Sequence, residues 1–177
     1  MDICLGVKEL KKMNKIIVTG PESSGKTTVC NGLSIYFKVP HSKEFARKYL
    51  NERKTKYNQD DLLKIAKGQL FSEKDNIILD TDLITIKIWS IYKFKFCEPW
   101  ILDQIEKQKQ ESRIYLLCKP DIAWKPDPLR ENRNNRMELF DIYLKELDCL
   151  GHKYHIIAGK NKLEKSIEKI SPILLKK

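Results

Sequence analysis

The chain has 177 residues, 41% hydrophobic and 33% charged, enough for one domain with a buried core and too short for two. No apolar run approaches the roughly 18 to 20 residues of a membrane helix, and residues 1–15 lack the apolar core and cleavage site of a signal peptide, so the cytoplasm is the expected compartment. The net charge is +10, yet only six of the 34 basic residues are arginines, and the lysines run along the whole chain rather than clustering as a nucleic-acid face requires; the five cysteines are far apart and form no C-x-x-C pair.

Strands and helices are expected to alternate, which implies a parallel sheet covered on both faces. Residues 1–14 form an N-terminal extension, with Met13 a plausible start, and residues 15–177 form the domain. Lys15–Thr19 (KIIVT) is a short apolar run ending at a glycine, hence a buried strand. Lys26–Phe37 reads as a helix, Lys38–Ser42 as a weak strand, and Glu44–Asn51 and Gln59–Lys74 as helices, the latter with Asn58 and Asp61 spaced as a capping pair. Asn76–Asp80 is a third strand, Asp82–Phe94 and Trp100–Ser112 are helices, and Arg113–Cys118 (RIYLLC) is a fourth strand. Prolines 120, 126 and 128 mark residues 120–129 as a loop. Arg130–Leu147 is a helix, Tyr154–Ala158 a fifth strand and Lys162–Leu175 a closing helix.

Gly20-Pro21-Glu22-Ser23-Ser24-Gly25-Lys26-Thr27 fits G-x-x-x-x-G-K-[ST] in full, between a strand and a helix as the motif demands. Gly20 and Gly25 let successive amides turn inward on phosphate oxygens. Lys26 adds a cation at the β- and γ-phosphates, Thr27 offers a hydroxyl to Mg2+, and the helix start, including Thr28, presents its positive end. The expected ligands are ATP and Mg2+.

A carboxylate is needed beside the metal. Asp80 ends the third strand and Asp82 follows by two residues at a helix start. Asp80 is assigned to the metal with Thr27, and Asp82 to the catalytic and substrate side, where it also has the position of a helix cap. Glu44 follows the second strand at the same sheet edge, where a base could take the proton of an attacking hydroxyl; Glu44 and the aspartates stay open as the base. Arg130, Arg133 and Arg136 follow the proline-rich loop at intervals of three, fitting a segment that closes over phosphates. Asp82, Thr85, Trp89 and Tyr92 share one helix face, opposite Ile84, Ile88 and Ile91, so one stripe faces the core and the other a pocket. Trp124 is a candidate stacking wall, and His41, His152 and His155 have no metal-ligand spacing.

The segments GPESSGKTT (Gly20–Thr28), EFARKYL (Glu44–Leu50), IAKGQ (Ile65–Gln69), DTDLITIKIWSIYKF (Asp80–Phe94), YLLCKPDIAWKPDPLRENRNNR (Tyr115–Arg136) and LFDIYLKEL (Leu139–Leu147) resemble the ribosylnicotinamide kinase domain of the bacterial NadR family. The resemblance runs from about Lys15 to the C-terminus. It implies a three-layer α/β P-loop fold of the nucleoside-kinase kind, with a five-stranded parallel sheet and a mobile lid. It also implies phosphorylation of nicotinamide riboside by ATP to nicotinamide mononucleotide. The lid arginines map onto Arg130, Arg133 and Arg136, the acidic pair onto Asp80 and Asp82, the substrate side onto Glu44 and Arg47, and the ring-holding aromatics onto Trp89, Tyr92 and Trp124. Departures are Lys48, where the family often has an acid, Lys43 beside Glu44, and an N-terminal segment too short for the family's adenylyltransferase or DNA-binding domain. The alternatives are a kinase of another nucleoside or nucleotide, and an ATP-dependent switch acting on a protein partner; the oligomeric state is left open.

Overall fold

A computed structural model describes residues 14–53, 56–127 and 129–175; most of the N-terminal extension, Met13 included, lies outside them. Five strands, β1 (Lys15–Thr19), β2 (His41–Ser42), β3 (Ile78–Asp80), β4 (Arg113–Cys118) and β5 (Lys153–Ile157), form one sheet in the order β2-β3-β1-β4-β5. Every pairing is parallel, with Ile16 opposite Ile78 and Ile114, and Val18 opposite Asp80 and Leu116. Parallel neighbours need crossovers, and these are the helices α1 (Lys26–Phe37), α2 (Phe45–Asn51), α3 (Gln59–Ser72), α4 (Leu83–Phe94), α5 (Pro99–Gln108), α6 (Arg136–Leu150) and α7 (Lys162–Leu174).

Strand alternation divides the core in two. Ile16, Val18, Ile78, Leu116 and Cys118 point to one face and pack on Val29, Cys30 and Leu33 of α1 and Ile170 of α7. Ile17, Leu79, Tyr115 and Leu117 point to the other and meet α2 to α6. All six residues of β4 are buried, as expected of a strand covered on both faces. Each fully buried Ile or Leu contributes roughly 1.5–3 kcal/mol, so this two-sided packing fixes β1 and β3, whose C-terminal ends carry the site. None of the described helices is long and apolar enough to cross a membrane.

The expected elements are all present, and three boundaries move for identifiable reasons. Lys38 takes a left-handed conformation and closes α1 by donating its N–H to Ser34, so β2 shrinks to two residues. Turns with N–H groups bonded three residues back replace the last residues of the helix expected to reach Ser112. The helix expected from Arg130 starts at Arg136; the residues before it form separate turns, Arg130 N–H to Asp127 and Asn135 N–H to Asn132, and the amides of Glu131 and Asn132 go to the Glu22 carboxylate. The Asn58–Asp61 capping box at α3 forms as expected.

Candidate active site

The cradle joins β1 to α1. Gly20 has φ 131°, and a Cβ there would lie 2.6 Å from the carbonyl oxygen of Cys118 on β4, so only glycine lets β1 turn this close to its neighbour. Gly25 is left-handed at φ 90° and begins α1. The Lys26 ammonium donates to the Pro21 carbonyl at 2.8 Å, resting on the loop it would leave for a phosphate.

The Val18–Asp80 register brings Asp80 beside the cradle. Thr27 Oγ1 donates to Asp80 Oδ2 at 2.7 Å. Asp80 is 2% exposed, and its Oδ1 is buried without a hydrogen-bond partner, an arrangement that an incoming cation would satisfy. A hydroxyl beside a carboxylate is the hard oxygen donor set that suits Mg2+. Among the described residues no group of three or more His, Cys, Asp or Glu could hold a metal ion, and at this two-oxygen pair nucleotide phosphates and water would complete the coordination. Burial pushes the Asp80 carboxyl up, with Lys26 the largest opposing influence.

Asp82 corrects the sequence reading. It is 0% exposed and does not face the cavity. Its Oδ1 accepts the Ile84 N–H and caps α4, its Oδ2 accepts the Tyr115 hydroxyl at 2.7 Å, and Arg113 lies 3.5 Å away. Thr81 between the two acids is left-handed, φ 69°, an uncommon conformation for a β-branched residue, and it breaks the strand so that the aspartates part.

Beside the cradle lies a cavity of about 270 Å3. It is lined by residues 20–28, by Glu44 and Arg47, by Thr85, Ile88, Trp89 and Tyr92 of α4, by Tyr57 and Tyr143, and by Leu129–Asn132. Glu44 precedes α2 without capping it, and its side chain is 32% exposed. Burial raises its pKa, and Lys26 is the main influence holding it down. Arg47 pairs with Asp127 at 2.9 Å and sits 4.0 Å from Glu44. Lys43 and Lys48 are exposed and do not line the cavity.

The aromatic wall is Tyr57 with Trp89 and Tyr92. Trp89 Nε1 donates to the Tyr57 hydroxyl at 2.9 Å, their rings lie 5.0 Å apart, and Asn135 donates to the Tyr92 hydroxyl. Lys93 reaches both oxygens of Glu131 at 2.8 Å, tying α4 to the segment after β4. The stripe of Thr85, Trp89 and Tyr92 therefore faces the cavity. Its opposite is less uniform, since Ile84 and Ile88 are buried, Ile88 also lines the cavity, and Ile91 is 43% exposed.

That segment is latched to the cradle. Glu22 accepts the N–H of Glu131 at 3.1 Å and that of Asn132, and Ser23 Oγ accepts the Lys125 N–H at 3.2 Å. Of the three expected lid arginines only Arg130 lines the cavity; Arg133 is exposed and outside it. Arg136 is turned to the back of the loop, donating to the carbonyls of Ser23 at 3.2 Å and Ile122 at 3.0 Å. Trp124 is also outside the cavity, with the Arg136 guanidinium 5.6 Å from its ring centre, because the loop folds it outward. Tyr57 escaped the sequence reading, since an aromatic directly before a capping box reads as a helix staple.

No curated protein matches the chain. Among solved structures it is similar to NadR in complex with NR, with a TM-score of 0.75 and 21% identity, covering 94% of this chain and 53% of that one. It is similar to NadR in complex with NAD and AMP-PNP, with a TM-score of 0.66 and 19% identity over 94% and 51%. A third is YorR from Bacillus subtilis in complex with phosphorylated GDP, with a TM-score of 0.58 and 19% identity over 92% and 96%. The chain thus spans about half the length of the two NadR chains, and at these identities the likeness is one of fold alone. A family model described as an AAA domain matches residues 15–165, and the chain belongs to that family of P-loop domains.

Proposed function

We propose that this protein is an ATP-dependent kinase that transfers the γ-phosphoryl group to the 5′-hydroxyl of a nucleoside, nicotinamide riboside first among the acceptors, giving the 5′-mononucleotide and ADP. One observation carries the reading: Thr27, whose hydroxyl is bonded to the buried Asp80, lines the same cavity as Glu44 and an aromatic wall. A switch needs the cradle alone, whereas a kinase needs an acceptor space with a base at its edge.

Lys26 and the loop amides hold the triphosphate, and Thr27 with Asp80 would hold Mg2+, which supplies charge neutralisation at the phosphates when bound. Glu44 receives the proton of the acceptor hydroxyl; its raised pKa moves it closer to neutrality, where a general base works best. Trp89, Tyr92 and Tyr57 hold a flat ring by stacking and edge contact. Arg130 lies on the cavity side of the latched segment and stabilises charge on the transferred group. Latching by Glu22 holds the segment that carries Arg130 against the cradle. At the acceptor end Arg47 is paired with Asp127, and Lys93 with Glu131, a balance that favours an uncharged or cationic acceptor over a nucleotide.

The test is ADP release with ATP, Mg2+ and a nucleoside panel that includes nicotinamide riboside. Stimulation by nicotinamide riboside above all others is the expected result. Stimulation by a different nucleoside would replace the acceptor, and the same slow turnover with every compound would overturn the kinase reading.

A further inference from the structure

We propose that Lys162, the first residue of α7, is a positioning residue that aims the phosphate cradle from behind; this rests on the cradle being a nucleotide site. Lys162 is 5% exposed. Its ammonium donates to the Ser24 carbonyl at 2.9 Å and to the Lys119 carbonyl, and pairs with Asp121 Oδ1 at 2.8 Å. All three N–H donors are thus committed. Asp121 Oδ2 also accepts the Gly159 N–H at 2.7 Å, so the clamp joins the ends of β4 and β5 to the loop after β1.

The position is electrostatically poor for a lysine. A helix N-terminus repels a cation, and burying an ammonium costs several kcal/mol unless it is paired. A folded chain gains little by placing one there unless its contacts are needed. The contact that reaches the site is the one with Ser24. In a planar trans peptide the C=O and the following N–H point in opposite directions. Holding Ser24 O outward therefore turns the Gly25 N–H inward, toward the phosphates. Gly25, left-handed at φ 90°, has no side chain to fix that orientation by packing, so the restraint has to come through the neighbouring carbonyl. Arg136 acts in the same sense one peptide earlier, holding Ser23 O at 3.2 Å and so turning the Ser24 N–H inward. Two cations outside the cradle thus set two amides inside it.

The experiment measures affinity for Mg-ATP and for inorganic tripolyphosphate, which engages the cradle without a base, by calorimetry on the full chain, with the melting temperature of the free protein alongside. Lys162→Met is expected to weaken both probes by about tenfold to a hundredfold, the range of one hydrogen bond to a charged group. Lys162→Arg should recover part of the loss. A merely structural lysine would lower the melting temperature and leave both affinities within about twofold in the folded variant, and that outcome overturns the proposal, as does a loss that Lys162→Arg leaves entirely unrepaired. Should Lys162→Met fail to fold, the double variant Lys162→Gln/Asp121→Asn, which leaves neither charge without its partner, is judged by the same affinities. A native chain that binds neither probe overturns the nucleotide reading, and this proposal falls with it.

Discussion

Replacing Glu73 by glutamine is expected to flatten the pH dependence of stability between about pH 5 and pH 8. Beneath α4, two carboxylates share the Arg113 guanidinium. Glu73 and Asp82 have side chains 4% and 0% exposed, at 2.5 and 3.5 Å from it. Glu111 also reaches Arg113 but is half exposed, and Lys15 donates to the Glu73 backbone carbonyl. With both buried acids ionised, the cluster carries an uncompensated negative charge. Asp82 has a donor on each oxygen, the Ile84 N–H and the Tyr115 hydroxyl, whereas Glu73 takes both of its hydrogen bonds, from Arg113 and Gln108, on Oε2 and leaves Oε1 buried without a partner. Glu73 therefore keeps the proton. Burial pushes its pKa from 4.5 up to about 7 against the pull of Arg113. A carboxyl raised on folding binds more protons folded than unfolded between those values. Its stabilisation is complete below about pH 4.5 and is lost as pH rises through about 7. At about 1.4 kcal/mol per pH unit, the full span amounts to about 3 kcal/mol. Urea unfolding at pH 5, 6, 7 and 8 measures it, and the difference between native chain and Glu73→Gln cancels the buried acids common to both. The native chain should lose stability relative to the variant as pH rises. A native-minus-variant stability that is flat, or that rises with pH, would refute the assignment of the proton to Glu73.

Other expectations concern the site. Lys26→Ala should abolish calorimetric binding of Mg-ATP at an unchanged melting temperature, because its ammonium is held only by a carbonyl of its own loop. Asp80→Asn should weaken apparent Mg2+ affinity in steady-state titrations by about tenfold to a hundredfold, in line with other losses of groups that hold a metal site. In single-turnover assays Arg130→Ala should slow transfer by about a hundredfold, the scale of one lost charge-stabilising donor, while Arg133→Ala, exposed and outside the cavity, should stay within about twofold of native.

The parts of the fold carried by local pattern were legible in the sequence. β1, α1 and β4 have the expected ends, because a continuous apolar run and a glycine-bounded motif both specify local geometry without outside help. What was missed depended on contacts far along the chain. The helix expected at Arg130 begins only at Arg136, and the segment before it is bound through Glu131 to Glu22, 109 residues earlier; no periodicity within residues 130–147 records that contact. Trp124 looked like a wall because an aromatic between prolines has no local packing partner, yet its neighbour is Arg136. Lys162 was one lysine among many; only the fold shows that it is buried beneath Ser24.

The two aspartates of the Asp-Thr-Asp turn illustrate how the site depends on the core beneath it. They are two residues apart, and the sequence places both at the same sheet edge, Asp80 toward a metal and Asp82 toward the substrate. A regular strand would have kept both on one face. The left-handed Thr81 sends Asp80 to Thr27 and Asp82 into the Arg113 cluster. Asp82 then acts at one remove, because it caps the helix that carries Thr85, Trp89 and Tyr92 into the cavity. Loss of the cap would shift the aromatic wall of the cavity while leaving the Thr27–Asp80 pair in place, since Asp80 is held by the β1–β3 register and by Thr27. One short turn thus separates the Thr27–Asp80 pair beside the cradle from the support of the cavity's aromatic wall.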